Sequence, residues 1–130
     1  MYKILTIESD CFLLEILSEW IISVGFFPLK ASTLHQGFEL LNKDNPDLIL
    51  CNYKLPDGNG LEFLQKIRLD VKTQNIPFVL IAGAELKPFK DWQVNYLPNS
   101  ILYKPFWPQM LLETLHLYLP ISSDINLICI

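Results

Sequence analysis

Lys3-Ile4-Leu5-Thr6-Ile7 is a short apolar, partly β-branched run that breaks into the polar cluster Glu8-Ser9-Asp10. That pattern predicts a buried strand feeding a loop where chemistry can sit. From Cys11 to Val24, Phe12, Leu13, Ile16, Leu17, Trp20, Ile21 and Val24 recur at the spacing of one helical face, and Gly25 follows as a C-cap. Phe26 to Ala31 supplies a second strand, which Pro28 assigns to a sheet edge. Thr33 with Gln36 resembles a capping box, and Leu34, Phe38 and Leu41 then mark a helical face through to Lys43. Pro46-Asp47 opens Leu48-Ile49-Leu50-Cys51, too short for a helix and suited to a central strand that stops at Asn52.

Pro56-Asp57-Gly58-Asn59-Gly60 reads as a loop rich in residues that accept positive φ, and Leu61, Phe63, Leu64 and Ile67 return to helical spacing. Ile76 to Ile81 is a strand with the small-residue tail Ala82-Gly83-Ala84, which permits close approach of backbone or ligand. Between Glu85 and Asn99 the pattern weakens, with Pro88 at a first helical position and Phe89, Trp92 and Tyr96 on one face. Ile101-Leu102-Tyr103 is a last short strand, and Pro108 to Leu119 a last helix that Pro120 stops. Residues 1–120 form one domain, and the tail 121–130 receives no assignment. Strands alternating with helices predict an α/β, three-layer αβα sandwich on a parallel sheet, because each parallel pair needs a right-handed crossover. Ligands in such folds bind outside the carboxyl ends of the strands. The residues at those ends are Glu8, Ser9, Asp10, Asn52, Ala82 and Lys104.

Composition narrows the class. With 51% hydrophobic and 18% charged residues, the 130-residue chain is too apolar for intrinsic disorder and suits a sheet buried on both faces. A net charge of −4, with ten Lys and Arg spread along the chain, leaves no basic stripe to follow a phosphate backbone, so direct nucleic-acid binding is not expected. Acidic residues interrupt the N-terminal region and the apolar runs are short, so neither a secretion signal nor a membrane span is expected. Cys11, Cys51 and Cys129 are odd in number and sit in apolar contexts, which predicts free thiols in a reducing cytoplasm.

Several motifs, in order, are similar to those of the receiver domains of two-component signalling: Pro46-Asp47-Leu48-Ile49-Leu50, Leu55-Pro56 with Gly60-Leu61, Ile76-Pro77, and Lys104-Pro105-Phe106. The resemblance runs from about Tyr2 to Leu119, with 30 residues from Asn52 to Ala82 and 22 from Ala82 to Lys104. It implies a flavodoxin-like five-stranded parallel sheet of order 2-1-3-4-5. It also implies an acidic pair after the first strand, a phosphoryl-accepting Asp after the third, a Thr or Ser after the fourth and a Lys after the fifth. Here the acidic pair reads Glu8-Ser9, the acceptor position is Asn52, the hydroxyl position is Ala82, and only Lys104 is identical; Ile101 stands where the family often has a switching Tyr or Phe.

Each departure has a chemical consequence. An acceptor Asp attacks phosphorus through an anionic oxygen, whereas the Asn52 amide is neutral and its nitrogen lone pair is delocalised. Magnesium prefers carboxylate oxygens, and Ser9 and Asn52 remove two of them, leaving Glu8 with help from Asp10; weak or no metal binding and no cofactor are expected. Ala82 lacks the hydroxyl that would bond a phosphoryl oxygen. Lys104 is then a structural residue pairing with Glu8 or Asp10.

His35 and His116 are isolated and read as solvated or packing residues, and Cys51 inside an apolar strand reads as inert. The last helix is apolar at Met110, Leu111, Leu112, Leu115, Leu117, Tyr118 and Leu119, more than one face can bury. With receivers often docking partners through the fourth helix, fifth strand and fifth helix, Ile101, Tyr103, Trp107, Met110, Thr114 and Leu117 form a candidate surface for a protein partner or a homodimer. The reading is a phosphorylation-independent signalling module and not an enzyme, since no glycine-rich phosphate loop, His-Glu metal motif or Ser-His-Asp set is present. The alternatives are a receiver with an unusual acceptor such as Asp57, and a flavodoxin-like binder of a small ligand.

Overall fold

The computed structural model describes residues 1–84, 86 and 94–120. The tail 121–130 with Cys129, and Pro88, Phe89 and Trp92 of the weakest expected helix, lie outside the described residues; Tyr96, the last residue of that helix's expected face, lies in irregular chain.

Five parallel strands, β1 (Lys3–Ile7), β2 (Phe27–Ala31), β3 (Leu48–Asn52), β6 (Phe78–Ala82) and β7 (Ser100–Tyr103), form one sheet of order β2-β1-β3-β6-β7. Counted within that sheet, the order is the expected 2-1-3-4-5. A two-residue antiparallel pair, β4 (Lys54–Leu55) with β5 (Gly58–Asn59), is an addition that the periodicity did not predict. The helices are α1 (Cys11–Ser23), α2 (Leu34–Asp44), α3 (Gly60–Arg68) and α4 (Pro108–Tyr118).

Strand alternation divides the core in two. Leu5, Ile7, Ile49, Cys51, Phe78 and Leu80 pack against α2 and α3 through Leu41, Phe63, Leu64 and Ile67. Ile4, Leu48, Leu50, Val79, Ile81 and Leu102 pack against α1 and α4 through Leu17, Ile21, Leu111 and Leu115. Every residue of β3 and β6 is buried, which explains why both read as unbroken apolar runs. Pro28 is placed on the edge strand β2, as expected, where a missing N–H costs no ladder bond. Within α1, Phe12 departs from the expected buried face and is exposed, as is Ile22.

Helix ends follow local chemistry. Asp10 caps α1, its Oδ1 accepting from Phe12 N and Leu13 N at 2.9 and 3.3 Å. Beyond α1, Gly25 adopts φ 84°, where a Cβ would be strained. Thr33 Oγ1 accepts from Gln36 N as a capping box requires, but Gln36 Oε1 accepts from Ser32 N at 2.8 Å and from the Ser32 hydroxyl, one residue before the cap. Gly60 opens α3 against the end of β3: a Cβ there would lie 2.8 Å from Asn52 O and 2.8 Å from Leu80 Cδ1.

Candidate functional site

In-register parallel pairing brings the ends of β1, β3, β6 and β7 to one edge, with Ile7 opposite Cys51, Asn52 opposite Ile81 and Ala82 opposite Tyr103. A cleft of about 400 Å³ opens above that edge, lined by Glu8, Ser9, Asp10, Asn52, Lys54, Leu55, Pro56 and Lys104. Five of the six residues read from the sequence therefore meet. Ala82 is the exception: it is fully buried and packs into the α2 and α3 side of the core with Leu86. Lys54, Leu55 and Pro56 were not anticipated as lining residues, and their place directly after a central strand was the available signal.

Glu8 is only 1% exposed, and both its oxygens are engaged. Oε1 meets Lys104 Nζ at 3.3 Å, and Oε2 accepts from Ser9 N at 2.8 Å and Asp10 N at 3.4 Å. Such partners offset the cost of burying a carboxyl group. Lys104 is positioned by its own backbone, whose N–H donates to Ala82 O at 2.8 Å before the cis Lys104–Pro105 peptide. The expected structural pairing of Lys104 is thus with Glu8, while Asp10 serves α1 instead.

Asn52 is 5% exposed and donates from Nδ2 to Lys54 O at 2.8 Å. Only the amide nitrogen can donate to a carbonyl, so that bond fixes which side-chain atom is the oxygen. Asn52 Oδ1 is buried and has no hydrogen-bond partner among the described residues. Its neighbour Cys51 is also buried, and its thiol donates to Asn52 O at 3.3 Å. Burial, reinforced by the negative charge of Glu8, pushes the Cys51 thiol far above its ordinary value, so it holds its proton and is inert as a nucleophile.

Asp57 lies outside the cleft. Its Oδ1 accepts from Leu34 N at 2.9 Å and its Oδ2 from His35 N at 3.0 Å, so the loop after β3 caps α2 from 23 and 22 residues away. With Thr33 Oγ1 on Gln36 N, the first three N–H groups of α2 all have acceptors. Those backbone bonds, Leu34's first, hold the Asp57 carboxyl below its ordinary 3.8. Gly58 makes the turn possible with φ 146°, and a Cβ there would sit 2.9 Å from Leu34 Cδ1. Asp57, the alternative acceptor read from the sequence, thus faces α2 and does not line the cleft that holds Lys104.

His35 pairs with Glu39 one helical turn on, at 2.7 Å and well exposed, and His116 is exposed on α4. Among the described residues no group of three or more His, Cys, Asp or Glu is arranged to hold a metal ion.

The candidate interaction surface divides. Leu111 and Leu115 of α4 are fully buried and Leu112 and Tyr118 pack against the same cluster, so the core absorbs much of the helix's apolar girth. Trp107 at 76% and Leu117 at 72% exposure, with Met110, remain in solvent. Thr114 is half-buried and its hydroxyl donates to Met110 O. Ile101 is half-buried against the α2 and α3 side of the core, on the opposite face of the sheet from α4. Tyr103, two residues on, shares the Ile101 side of the edge strand and is exposed.

A family model described as "Response regulator receiver domain" matches residues 4–116. Among curated proteins, the phosphate regulon transcriptional regulatory protein PhoB of Klebsiella pneumoniae is 28% identical over 109 residues, covering 84% of this chain and 48% of that protein. The probable transcriptional regulator ycf29 of Porphyra purpurea is 29% identical over 112 residues, covering 86% and 54%. The chain thus spans about half the length of these relatives. Among solved structures, the chemotaxis protein CheY4 of Vibrio cholerae superposes with a TM-score of 0.81 at 24% identity, covering 92% of this chain and 99% of that one. The receiver domain of sensor histidine kinase PA1611 of Pseudomonas aeruginosa, described with a magnesium ion coordinated in its active site cleft, gives 0.81 at 20% identity, covering 90% and 96%.

Proposed function

The chain belongs to the response regulator receiver domain family, and from that premise we propose that it is a signalling module whose protein contacts do not depend on phosphorylation. The observation that carries this reading is Asn52, a neutral amide at the end of β3, buried and bonded through Nδ2 to Lys54 O. Phosphoryl transfer to a receiver forms a bond from an anionic carboxylate oxygen to phosphorus and an acyl phosphate as product. An amide oxygen lacks that charge, and no group beside Asn52 among the described residues can generate it.

Magnesium, which the receiver fold implies, does not fit the donors present. A near-octahedral magnesium site draws on one or two carboxylates, but the one buried carboxylate of the cleft already has an ammonium and two backbone N–H groups as partners. The residue available beside it is Asn52 Oδ1, a neutral acceptor. Asp57 does not rescue transfer, since both its oxygens cap α2. Nor does any observation favour an enzyme or a small-ligand binder, as Cys51 is inert and the described residues bring no base to a hydroxyl at the cleft.

What remains is recognition. Met110 and Leu117 project from α4 into solvent, with Trp107 exposed at its N-cap, and large exposed aromatic and aliphatic side chains are the usual anchors of interfaces. The occupant of this surface is a protein partner or a second copy of the chain. No helix among the described residues is long and apolar enough to cross a membrane. The cytoplasm, where two-component signalling modules meet their partners, is the compartment that suits this role. Sedimentation velocity over a range of concentrations, with and without acetyl phosphate, tests the reading. Association that Leu117→Glu or Trp107→Glu weakens, and that the phosphodonor leaves unchanged, supports it. A phosphodonor-dependent change in association overturns it.

A further inference from the structure

Two exposed features of the chain, one concave and one convex, carry opposite charge. The outer side of α1 holds a groove of about 430 Å³ lined by Cys11, Phe12, Glu15, Ile16 and Glu19. Phe12 is 77% exposed there. Glu15 meets Lys30 at 2.8 Å in a solvent-exposed pair, which offsets little, and Glu19 is in no ion pair among the described residues. The groove thus offers apolar surface beside a negative rim. The convex feature is the turn that ends α3, where Leu69 and Val71 stand 76% and 79% exposed. That turn is pinned from within. Thr73 Oγ1 donates to Ile67 O at 2.6 Å, Thr73 N to Asp70 O at 3.0 Å, Lys72 N to Asp70 Oδ1 at 2.9 Å, and Arg68 to Thr73 O. Two aliphatic side chains fixed outward in this way form a pre-organised knob that loses little freedom on docking. Lys66, Arg68 and Lys72 surround it against the single acid Asp70, and none of the three is in an ion pair among the described residues.

We propose that the α3 turn of one copy docks in the α1 groove of the next, with Leu69 and Val71 against Phe12 and Ile16 and the lysines beside Glu15 and Glu19. The occupant is a second copy because one chain carries both halves of the match. This contact is separate from the α4 surface. Helices α1 and α3 cover opposite faces of the sheet, so a molecule cannot satisfy its own groove and the contact is head-to-tail. Each added copy then leaves a knob free at one end and a groove at the other, and association does not stop at two. A symmetric pair through two α1 grooves would instead bring acidic rims together, which like charges oppose.

Sedimentation analysis of the full chain tests this, with Leu117→Glu present throughout so that the α4 surface contributes little. The Leu117→Glu chain is expected to grow past a dimer as concentration rises, and to do so less in about 0.5 M than in about 0.05 M sodium chloride, because salt screens the exposed charges. Adding Phe12→Ser, which strips the groove, or Leu69→Glu, which puts an acid on the knob, is expected to weaken association roughly tenfold or more. Both side chains are exposed, so the melting midpoint should hold, and Val71→Glu serves as a second knob variant. An equimolar mixture of the Phe12→Ser and Leu69→Glu chains is expected to regain association and to stop at a dimer, since one keeps the knob and the other the groove. A Leu117→Glu chain that stays monomeric, a groove or knob variant that associates like its parent, or a mixture no larger than its components overturns the proposal. None of these touches the α4 reading, which is judged by Trp107→Glu and Leu117→Glu in the otherwise unaltered chain.

Discussion

Replacing Asp57 by Ala removes two acceptors at once, those of Leu34 N at 2.9 Å and His35 N at 3.0 Å, and leaves α2 with Thr33 Oγ1 as its one remaining side-chain cap among the described residues. Loss of a capping side chain typically costs about 1 kcal/mol. Because Asp57 is exposed, solvent supplies part of what is lost, so the expected cost stays near that figure despite the two bonds. For a domain of this size it lowers the melting midpoint by roughly 3–5 °C. Asp57→Asn, which keeps one carbonyl acceptor, should fall between. The effect depends on pH with a definite sign. Since the folded-state pKa is depressed below 3.8, the contribution of Asp57 is whole above that value and is lost as pH falls through the folded value. Denaturant titrations of wild type and Asp57→Ala should run at a constant separation from neutrality to mildly acidic pH and converge below the ordinary carboxylate range. Amide exchange supplies a local check, with Leu34 and His35 losing protection in the variant while β3 keeps it. Equal stability of the two proteins at neutral pH, together with unchanged protection at Leu34 and His35, would show that Asp57 does not hold the start of α2.

Gly60→Ala would drive a methyl to 2.8 Å from Asn52 O and Leu80 Cδ1, and should cost about 1–3 kcal/mol by denaturant unfolding, as overpacking of a tight contact does. In a Cys129→Ser background, a thiol reagent should label the exposed Cys11 promptly and Cys51 only on unfolding; prompt modification of two thiols in the native protein would contradict the burial of Cys51.

The sheet was legible because its central strands are covered on both faces, so Leu48-Ile49-Leu50-Cys51 and the run to Ile81 carry an uninterrupted apolar signal. The strand-end residues were legible for the same reason, since a buried run must stop where the cleft begins, at Glu8, Asn52 and Lys104. What periodicity misses is contact between distant segments. Nothing local to Pro56-Asp57-Gly58 indicates that its carboxylate caps a helix that begins at Leu34, 23 residues earlier. Helix α4 shows the limit in another form: an apolar girth does not say which residues the sheet absorbs, and Leu111 and Leu115 go inward while Trp107 and Leu117 do not. Sequence proximity groups Ile101 with that helix, but strand alternation turns it to the opposite face. Ala82 ends β6, and with its methyl in the core it contributes packing rather than a wall of the cleft.

A neutral Asn52, behind a Glu8 already satisfied by Lys104, should be unable to accept a phosphoryl group. Incubation of the intact chain with acetyl phosphate and magnesium, followed at once by intact-protein mass under acid conditions that preserve acyl phosphates, puts this to the test, with an active receiver alongside to show that the donor works. The active receiver should gain one phosphoryl group and this chain none. A phosphoryl adduct on this chain, mapped to Glu8, Asp10 or Asp57, would mean that the site still accepts phosphate and that its signalling depends on it.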